Sequence, residues 1–459
     1  MSPLWTSTAI AQATSGKASR DFAVAGVAFD SREIVPGDLF VAMKGAQSDG
    51  HDFVERAFAA GAAGVLVERP VEGPHVLVDD SAEALSRLGM ESRRRTHAKV
   101  IGVTGSAGKT STKEALFQAF DRISMENAHR SLKSYNNHVG VPLSLARMPE
   151  HAEFGIFEMG MNHAGELSDL TRMVKPNVAL VTTIAPAHIE YFGTEEKIAD
   201  AKGEIFEGLT DEAVAVLPYD SPHIKRLYAK ASRHARRIIT FGMGEGADVR
   251  ALEHVAAPGG GTLVTARLPE ARLSFTVSAP GAHWVQNALA VLAVVESLGG
   301  DIAVAGLALA ELPGLPGRGA RRRIALDRGG EALLIDESYN ANPASVTATL
   351  VQLGEEAGKR KVAVIGAMKE LGALSDSLHA GLAEPILQAG VDLVLLVGAE
   401  TGPLGEALKN KVALHEVPDA AGAVALLPRL LKDGDVVLVK GSNSVGLSRL
   451  IAQLSAEHV

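Results

Sequence analysis

Short apolar runs and longer amphipathic stretches alternate along most of this chain. Residues 99–104, 154–157 and 178–182 are apolar runs too short for helices, and helical patterns such as 109–120 lie between them. Unbroken apolar runs of this length, separated by helices, are the signature of strands buried on both faces of a parallel sheet. The alternation returns at 332–335, 362–365, 393–396 and 436–439, with an amphipathic helix predicted over 344–356. A weaker version opens the chain: short strands at 38–42 and 64–67, a helix at 54–60, and polar turns at 30–38 and 45–51. Residues 263–268 and 273–277 differ. They read as short strands joined by a turn, an antiparallel appendage, and a long helix follows over 283–298.

The pattern also divides the chain. A boundary near His97 precedes the strongest strand, and Pro313-Gly-Leu-Pro-Gly317 has linker composition. The prediction is an α/β protein of three domains: a small one over 1–97, a central parallel sheet over 98–313, and a doubly wound unit over 314–459.

Composition narrows the function classes. The 459 residues include no cysteine, so disulfides and zinc–thiolate sites are excluded. Net charge is −9 and no long basic run occurs, which argues against a nucleic-acid partner. The short runs Arg93-Arg-Arg95 and Arg321-Arg-Arg323 are read as solvated surface. The first residues lack a signal-peptide plan, and no uncharged apolar run approaches the ~20 residues of a membrane span. A cytoplasmic monomer without a membrane span is the expectation.

Candidate chemistry starts at Gly105-Ser-Ala-Gly-Lys-Thr110, directly behind the strand at 99–104 and ahead of a helix. Gly105, Ser106, Ala107 and Gly108 can turn backbone N–H groups toward phosphate, and a helix N-terminus adds its dipole. Lys109 can reach the outer phosphates, and the Thr110 hydroxyl can ligate Mg²⁺. The loop is a short form, because Val103 stands where the longer pattern has glycine. Other strand ends carry Glu158, which could meet a cation on the nucleotide, and His188. His283 and Asn287, four apart on a helix, share a face, and Asn287 could bond a nucleobase or ribose. Arg318 follows the linker, where a hinge could present it to phosphate; Asp336-Glu-Ser-Tyr-Asn-Ala-Asn-Pro343 ends a strand of the last domain. By pattern alone each has a plainer reading: an N-cap acid, a loop histidine, a buried polar pair, a solvated arginine, a capped turn. Lys202 reads as a surface lysine, and Lys440-Gly-Ser-Asn443 as an ordinary strand-to-helix turn.

Together with Glu158-Met-Gly-Met-Asn-His-Ala-Gly-Glu166, Ala185-Pro-Ala-His-Ile-Glu190, Gly281-Ala-His-Trp-Val-Gln-Asn287 and Ser338-Tyr-Asn-Ala-Asn-Pro343, the phosphate loop resembles the motifs of the Mur ligases. The resemblance implies a precursor-binding first domain, a P-loop ATPase-like central domain and a Rossmann-like C-terminal domain. It implies ATP and Mg²⁺ as cofactors, and ATP-dependent joining of D-alanyl-D-alanine to UDP-N-acetylmuramoyl-tripeptide through an acyl phosphate. Sibling ligases or a folylpolyglutamate synthetase-like enzyme, with another acceptor, are the alternative. Carried onto this sequence, it assigns catalysis to Lys109, Glu158, His188 and Lys202. Thr110 and Glu158 would attend a first Mg²⁺ and His188 a second, with Lys202 carbamylated as an added metal ligand. Asn287, Arg318 and Asp336 would contact ATP, Asp336 near the ribose. Ser31 and Arg32, Asn136 and Asn137, and Tyr339 and Asn340 would serve the substrate side. The chain departs from the family pattern at His138, Trp284, Glu337 and Asn443-Ser444.

Overall fold

The computed structural model describes residues 3–45, 48–258 and 260–456; in the polar turn at 45–51, Ala46 and Gln47 lie outside the described residues. Lys99–Thr104 sits inside a nine-stranded sheet, between Val178–Val181 and Phe154–Glu158. Every residue of it except Lys99 is buried. Ile101 and Val103 pack with Leu116, Ala119 and Phe120 of the helix Lys109–Ile123, while Val100 joins Phe157 and Leu167 on the other face. Burial on both faces is why the strand reads as an unbroken apolar run.

In spatial order the sheet runs Arg272–Val277, Thr262–Arg267, Val249–Ala256, Arg237–Gly242, Val214–Pro218, Val178–Val181, Lys99–Thr104, Phe154–Glu158, Ala128–Arg130. Pairing is parallel from Ala128–Arg130 to Val249–Ala256, and antiparallel for the remaining two pairs. The expected appendage is therefore not separate: its strands extend the central sheet edge. Val264, Ala266 and Phe275 share a core with Val285 and Leu289 of the helix Ala282–Ser297, which holds them in the sheet.

The first unit holds a five-stranded sheet of Lys17–Ala18, His75–Leu77, Gly64–Val67, Asp38–Val41 and Gly26–Ala28. Its helix Ser81–Arg95 packs on Gly140–Ala146, and Trp5 Nε1 donates to Ala146 O at 2.8 Å. Arg93 donates to the Val174 and Lys175 carbonyls at 2.8 and 2.9 Å, and Arg95 stacks 3.6 Å from the Trp5 ring centroid. The solvated reading of 93–95 thus fails for two of three residues. With 3.6 residues per turn, successive arginines point in different directions, and only Arg94 faces water.

The C-terminal six-stranded sheet runs Ala320–Ala325, Glu331–Glu337, Asp435–Lys440, Arg360–Gly366, Leu393–Val397, Ala413–Val417, parallel after the first pair. One buried apolar cluster contains Phe157 and Ile184 of the central unit with Ile335, Ala341 and Ile365 of this one. The two units are packed together, and the groups at their strand ends meet across one cleft. Among the described residues no helix is long and apolar enough to cross a membrane.

Candidate active site

The cleft encloses a cavity of ≈ 490 Å³, lined by residues 106–111 and by Asn136, Glu158, His188, Asn287, Arg318 and Lys440 among others. Its floor is the phosphate loop. Gly105 and Gly108 have φ of 151° and 80°. A Cβ on Gly105 would lie 1.9 Å from Thr182 Oγ1, and one on Gly108 would lie 2.8 Å from Asn287 Oδ1. Both positions therefore demand glycine. Val103 is still strand and fully buried, so the loop begins at Gly105 and is short for that reason. Thr182 Oγ1 donates to Ala107 O at 2.6 Å, and Ser106 Oγ donates to Ala185 O at 2.9 Å. These bonds fix the loop from behind. Lys109 curls back, its Nζ donating to Gly105 O at 2.7 Å. Burial pushes the Lys109 pKa down, and the nearby Glu158 carboxylate opposes that shift.

Glu158 ends its strand 1% exposed. Thr110 Oγ1 donates to its Oε2 at 2.8 Å, and Asn136 Nδ2 to its Oε1 at 2.7 Å. Ser134 Oγ stands 3.3 Å from the Thr110 hydroxyl and accepts from Arg318 Nη2 at 3.2 Å. The Lys109 amine, a hydroxyl, a buried carboxylate and an arginine so converge within one shell. Hard oxygen donors beside a phosphate loop suit Mg²⁺, which is commonly held by one or two carboxylates plus substrate phosphates. Among the described residues no three His, Cys, Asp or Glu side chains form a ready metal cluster. A cation here would depend on the nucleotide.

His188 lines the same cavity, in left-handed conformation at φ 59°. Burial, then the charges of Lys109 and Lys202, lower its pKa to about 4, so its ring is neutral near pH 7 and able to ligate a metal. Its Nδ1 lies against Glu370 Oε2 of the C-terminal unit without hydrogen-bond geometry. Lys202 overturns the surface reading. It is 1% exposed at the end of the helix Glu195–Lys202, and its amine has no hydrogen-bond or ion-pair partner among the described residues. Burial, with Lys109 nearby, drives its pKa well below the ordinary lysine value. A surface reading fails because a short helix rich in acids and small residues gives little sequence sign of which face is covered.

The C-terminal unit supplies the lid. The Arg318 guanidinium stacks 3.9 Å over the Tyr339 ring, and Asn340 lines the cavity beside it. Asn342 Nδ2 donates to Ser106 O at 3.2 Å, a bond from this unit to the phosphate loop itself. Glu337 and Lys440 are register partners with Nζ–Oε2 at 3.4 Å, both buried at the cavity wall. Lys440 Nζ also donates to Asn340 O at 3.1 Å. Lys440-Gly-Ser-Asn443 does join a strand to helical turns, and its first residue also lines the cavity.

Other expected residues fall elsewhere. Asp336 does not face the cavity: its carboxylate accepts from Gly317 N at 2.8 Å and from Ser338 Oγ at 2.6 Å, tying the linker to its strand. Asn137 Oδ1 accepts from Val139 N and Gly140 N at 3.2 and 2.9 Å, bracing the start of the helix Gly140–Ala146. Ser31 and Arg32 lie off the cavity, and Arg32 forks onto Asp30, with Nη2–Oδ2 at 2.6 Å. That pair holds the Asp30 pKa down to about 2. Their loop nevertheless reaches the Asn136 loop: Tyr135 OH donates to Glu33 Oε2 at 2.7 Å, and Lys133 pairs with Glu33. Ser134, Thr182, Asn342 and Glu33 were not singled out by sequence. Only Asn342 carried a signal, as a cap three residues before Ser345.

Residues 23–110 match the Mur ligase family, catalytic domain; residues 103–295 the Mur ligase middle domain; and residues 322–443 the Mur ligase, glutamate ligase domain. The UDP-N-acetylmuramoyl-tripeptide–D-alanyl-D-alanine ligase of Escherichia coli (strain K12) is 34% identical over 438 residues, covering 95% of this chain and 94% of its own. A crystal structure of MurF from Acinetobacter baumannii superposes with a TM-score of 0.85 at 30% identity, covering 99% of both chains. The MurF ligase of Thermotoga maritima in complex with ADP gives 0.78 at 30% identity, covering 94% of this chain and 97% of that one. Likeness over nearly the whole length, at such identity, leaves one conclusion: the chain belongs to the Mur ligase family.

Proposed function

We propose that this chain is the ATP-dependent ligase that adds D-alanyl-D-alanine to UDP-N-acetylmuramoyl-tripeptide, the last cytoplasmic peptide extension in peptidoglycan precursor synthesis. The observation that carries the reaction type is the shell of Lys109, Thr110, Glu158 and Arg318 around one cavity. The acceptor is taken from the relatives, which are named for it.

The chemistry follows from the groups present. A carboxylate is a poor electrophile, and phosphorylation gives it a leaving group. Lys109 and the loop amides hold the nucleotide phosphates, and Arg318 neutralises charge as the γ-phosphoryl moves to the tripeptide carboxylate. The D-alanyl-D-alanine amine then attacks the acyl phosphate, an amide forms and phosphate leaves. Bound Mg²⁺ would supply positive charge between the two anionic substrates. Thr110 and Glu158 would hold one ion, and His188 a second together with Lys202 as its carbamate. CO₂ adds only to a neutral amine, and the buried, unpartnered Lys202 is suited to being one.

In this reading residues 1–97 bind the UDP-sugar, 98–313 bind ATP, and 314–459 close over both. Ser31, Arg32, Asn136, Tyr339 and Asn340 face the substrates. Asp336 and Asn137 act one step back, through the linker and a helix start. The test is mass spectrometry of a reaction holding ATP, the nucleotide tripeptide and D-alanyl-D-alanine. A product heavier by the dipeptide less water supports the proposal, and unchanged nucleotide overturns it.

A further inference from the structure

Two residues with left-handed backbones meet where the central and C-terminal units touch. His188 has φ 59° and Glu370 φ 62°, conformations that residues other than glycine adopt rarely. Such backbones persist only where the surroundings hold them, and they cluster at ligand sites. Here Glu190 N donates to Glu370 O at 3.2 Å, and a Cβ on Gly372 would lie 3.1 Å from Glu190 Cγ. The loop that carries Glu370 is thus seated on the short helix Ile189–Phe192 that His188 begins.

The side chains agree with that seating. Glu370 Oε2 lies against His188 Nδ1, and that nitrogen has no hydrogen-bond partner among the described residues. With Nδ1 covered, Nε2 is the ring nitrogen left for the cavity that His188 lines. Histidines that bind metal through one nitrogen usually give the other N–H to a carboxylate, which fixes tautomer and ring orientation.

We infer that Glu370 is a positioning residue, a carboxylate delivered by the C-terminal unit to Nδ1 of His188 so that Nε2 presents its lone pair to a divalent cation. The inference rests on the reading that His188 holds a metal. It also makes the second cation site complete only when the C-terminal unit is docked. Cation binding and docking then favour each other by the same factor.

The test is a Mn²⁺ titration of the full chain with ADP, followed by electron paramagnetic resonance, on wild type, Glu370→Ala, Glu370→Gln and His188→Ala. Wild type is expected to bind two Mn²⁺, one of them lost in His188→Ala. Glu370→Ala weakens that same ion by about 10- to 100-fold and leaves the ion beside Thr110 and Glu158 unchanged. Glu370→Gln falls between, because its amide oxygen keeps an acceptor beside Nδ1 without the carboxylate's charge. Alanine meets the same backbone restriction at position 370 as glutamate, so the comparison isolates the carboxylate. Wild-type affinity for the His188 ion in Glu370→Ala overturns the inference, as does equal weakening of both ions, which marks general loss of packing. A wild type with no His188-dependent ion overturns the metal reading, and the inference with it.

Discussion

Thr110 Oγ1 donates to Glu158 Oε2 at 2.8 Å, joining the first turn behind the phosphate loop to the end of the neighbouring strand. The bond sets the carboxylate where a nucleotide-bound cation would sit, and Asn136 fixes its second oxygen. Glu158→Gln keeps the shape and an oxygen to accept from Thr110, but removes the charge. Turnover should fall about 10²- to 10³-fold, the scale of losing one preorganised group in a dry site, while the unfolding midpoint stays near wild type. Phosphate release checks it, and turnover within a few-fold of wild type would refute the assigned role.

Asn342 does two jobs that substitution can separate. Its Oδ1 accepts from Ser345 N at 2.9 Å and caps the helix Pro343–Glu355, while its Nδ2 donates to Ser106 O in the phosphate loop. Asn342→Asp keeps a capping oxygen and loses the donor, so stability should hold while KM for ATP rises several-fold, about one hydrogen bond's worth. Asn342→Ala should also lose about 1 kcal/mol of stability with the cap. Thermal melts and initial rates distinguish the two, and an Asn342→Asp enzyme with unchanged KM counts against the bridge.

A buried amine without a partner disfavours the folded state. Lys202→Met should therefore abolish most turnover yet melt at or above the wild-type temperature. Added short-chain carboxylates should partly restore Lys202→Ala by standing in for the carbamate. Wild-type-like turnover in either variant contradicts the assignment.

Three histidines, His129, His188 and His283, each have a pKa lowered by burial from 6.5 to about 4. Between those values the unfolded chain binds protons that the native chain does not, so stability rises with pH across that window. Above about pH 6.5 the effect vanishes. Falling from pH 6.5 to 4 should cost up to roughly 3 kcal/mol per ring. His129 is the cleanest to remove, since it lies outside the cavity with Nε2 2.8 Å from Ser144 O. Urea unfolding should show a shallower pH slope for His129→Gln, and a flat wild-type profile from pH 6.5 to 4 would rule the effect out.

Strands such as Lys99–Thr104 and Leu393–Val397 were legible almost to the residue because burial on both faces writes an unbroken apolar run, whereas Ala128–Arg130, Val214–Pro218, Arg237–Gly242, Val249–Ala256 and Ala413–Val417 were not read from the pattern. Partners of the antiparallel strands were not legible, since periodicity records which face a residue takes and not which strand lies beside it. Phosphate-loop residues were legible because glycine, lysine and threonine have few other reasons to stand in that order. Thr182 and Ser134 were invisible: each acts by a hydroxyl placed through tertiary packing, with no local pattern around it. Asp336 was given an ATP contact by the family resemblance alone, its pattern fitting a capped turn equally well. Its oxygens are taken by Gly317 N–H and Ser338, a competition that spacing cannot reveal. Resemblance to the family carried Lys202, which the bare pattern had put on the surface.

The central claim is amide ligation to one acceptor. The most direct measurement is ATP-dependent phosphate release with the UDP-muramoyl tripeptide, comparing D-alanyl-D-alanine with single amino acids and glutamate. Release that requires both the tripeptide and D-alanyl-D-alanine is the predicted result. Faster release with a single amino acid, or release indifferent to any acceptor, would contradict it.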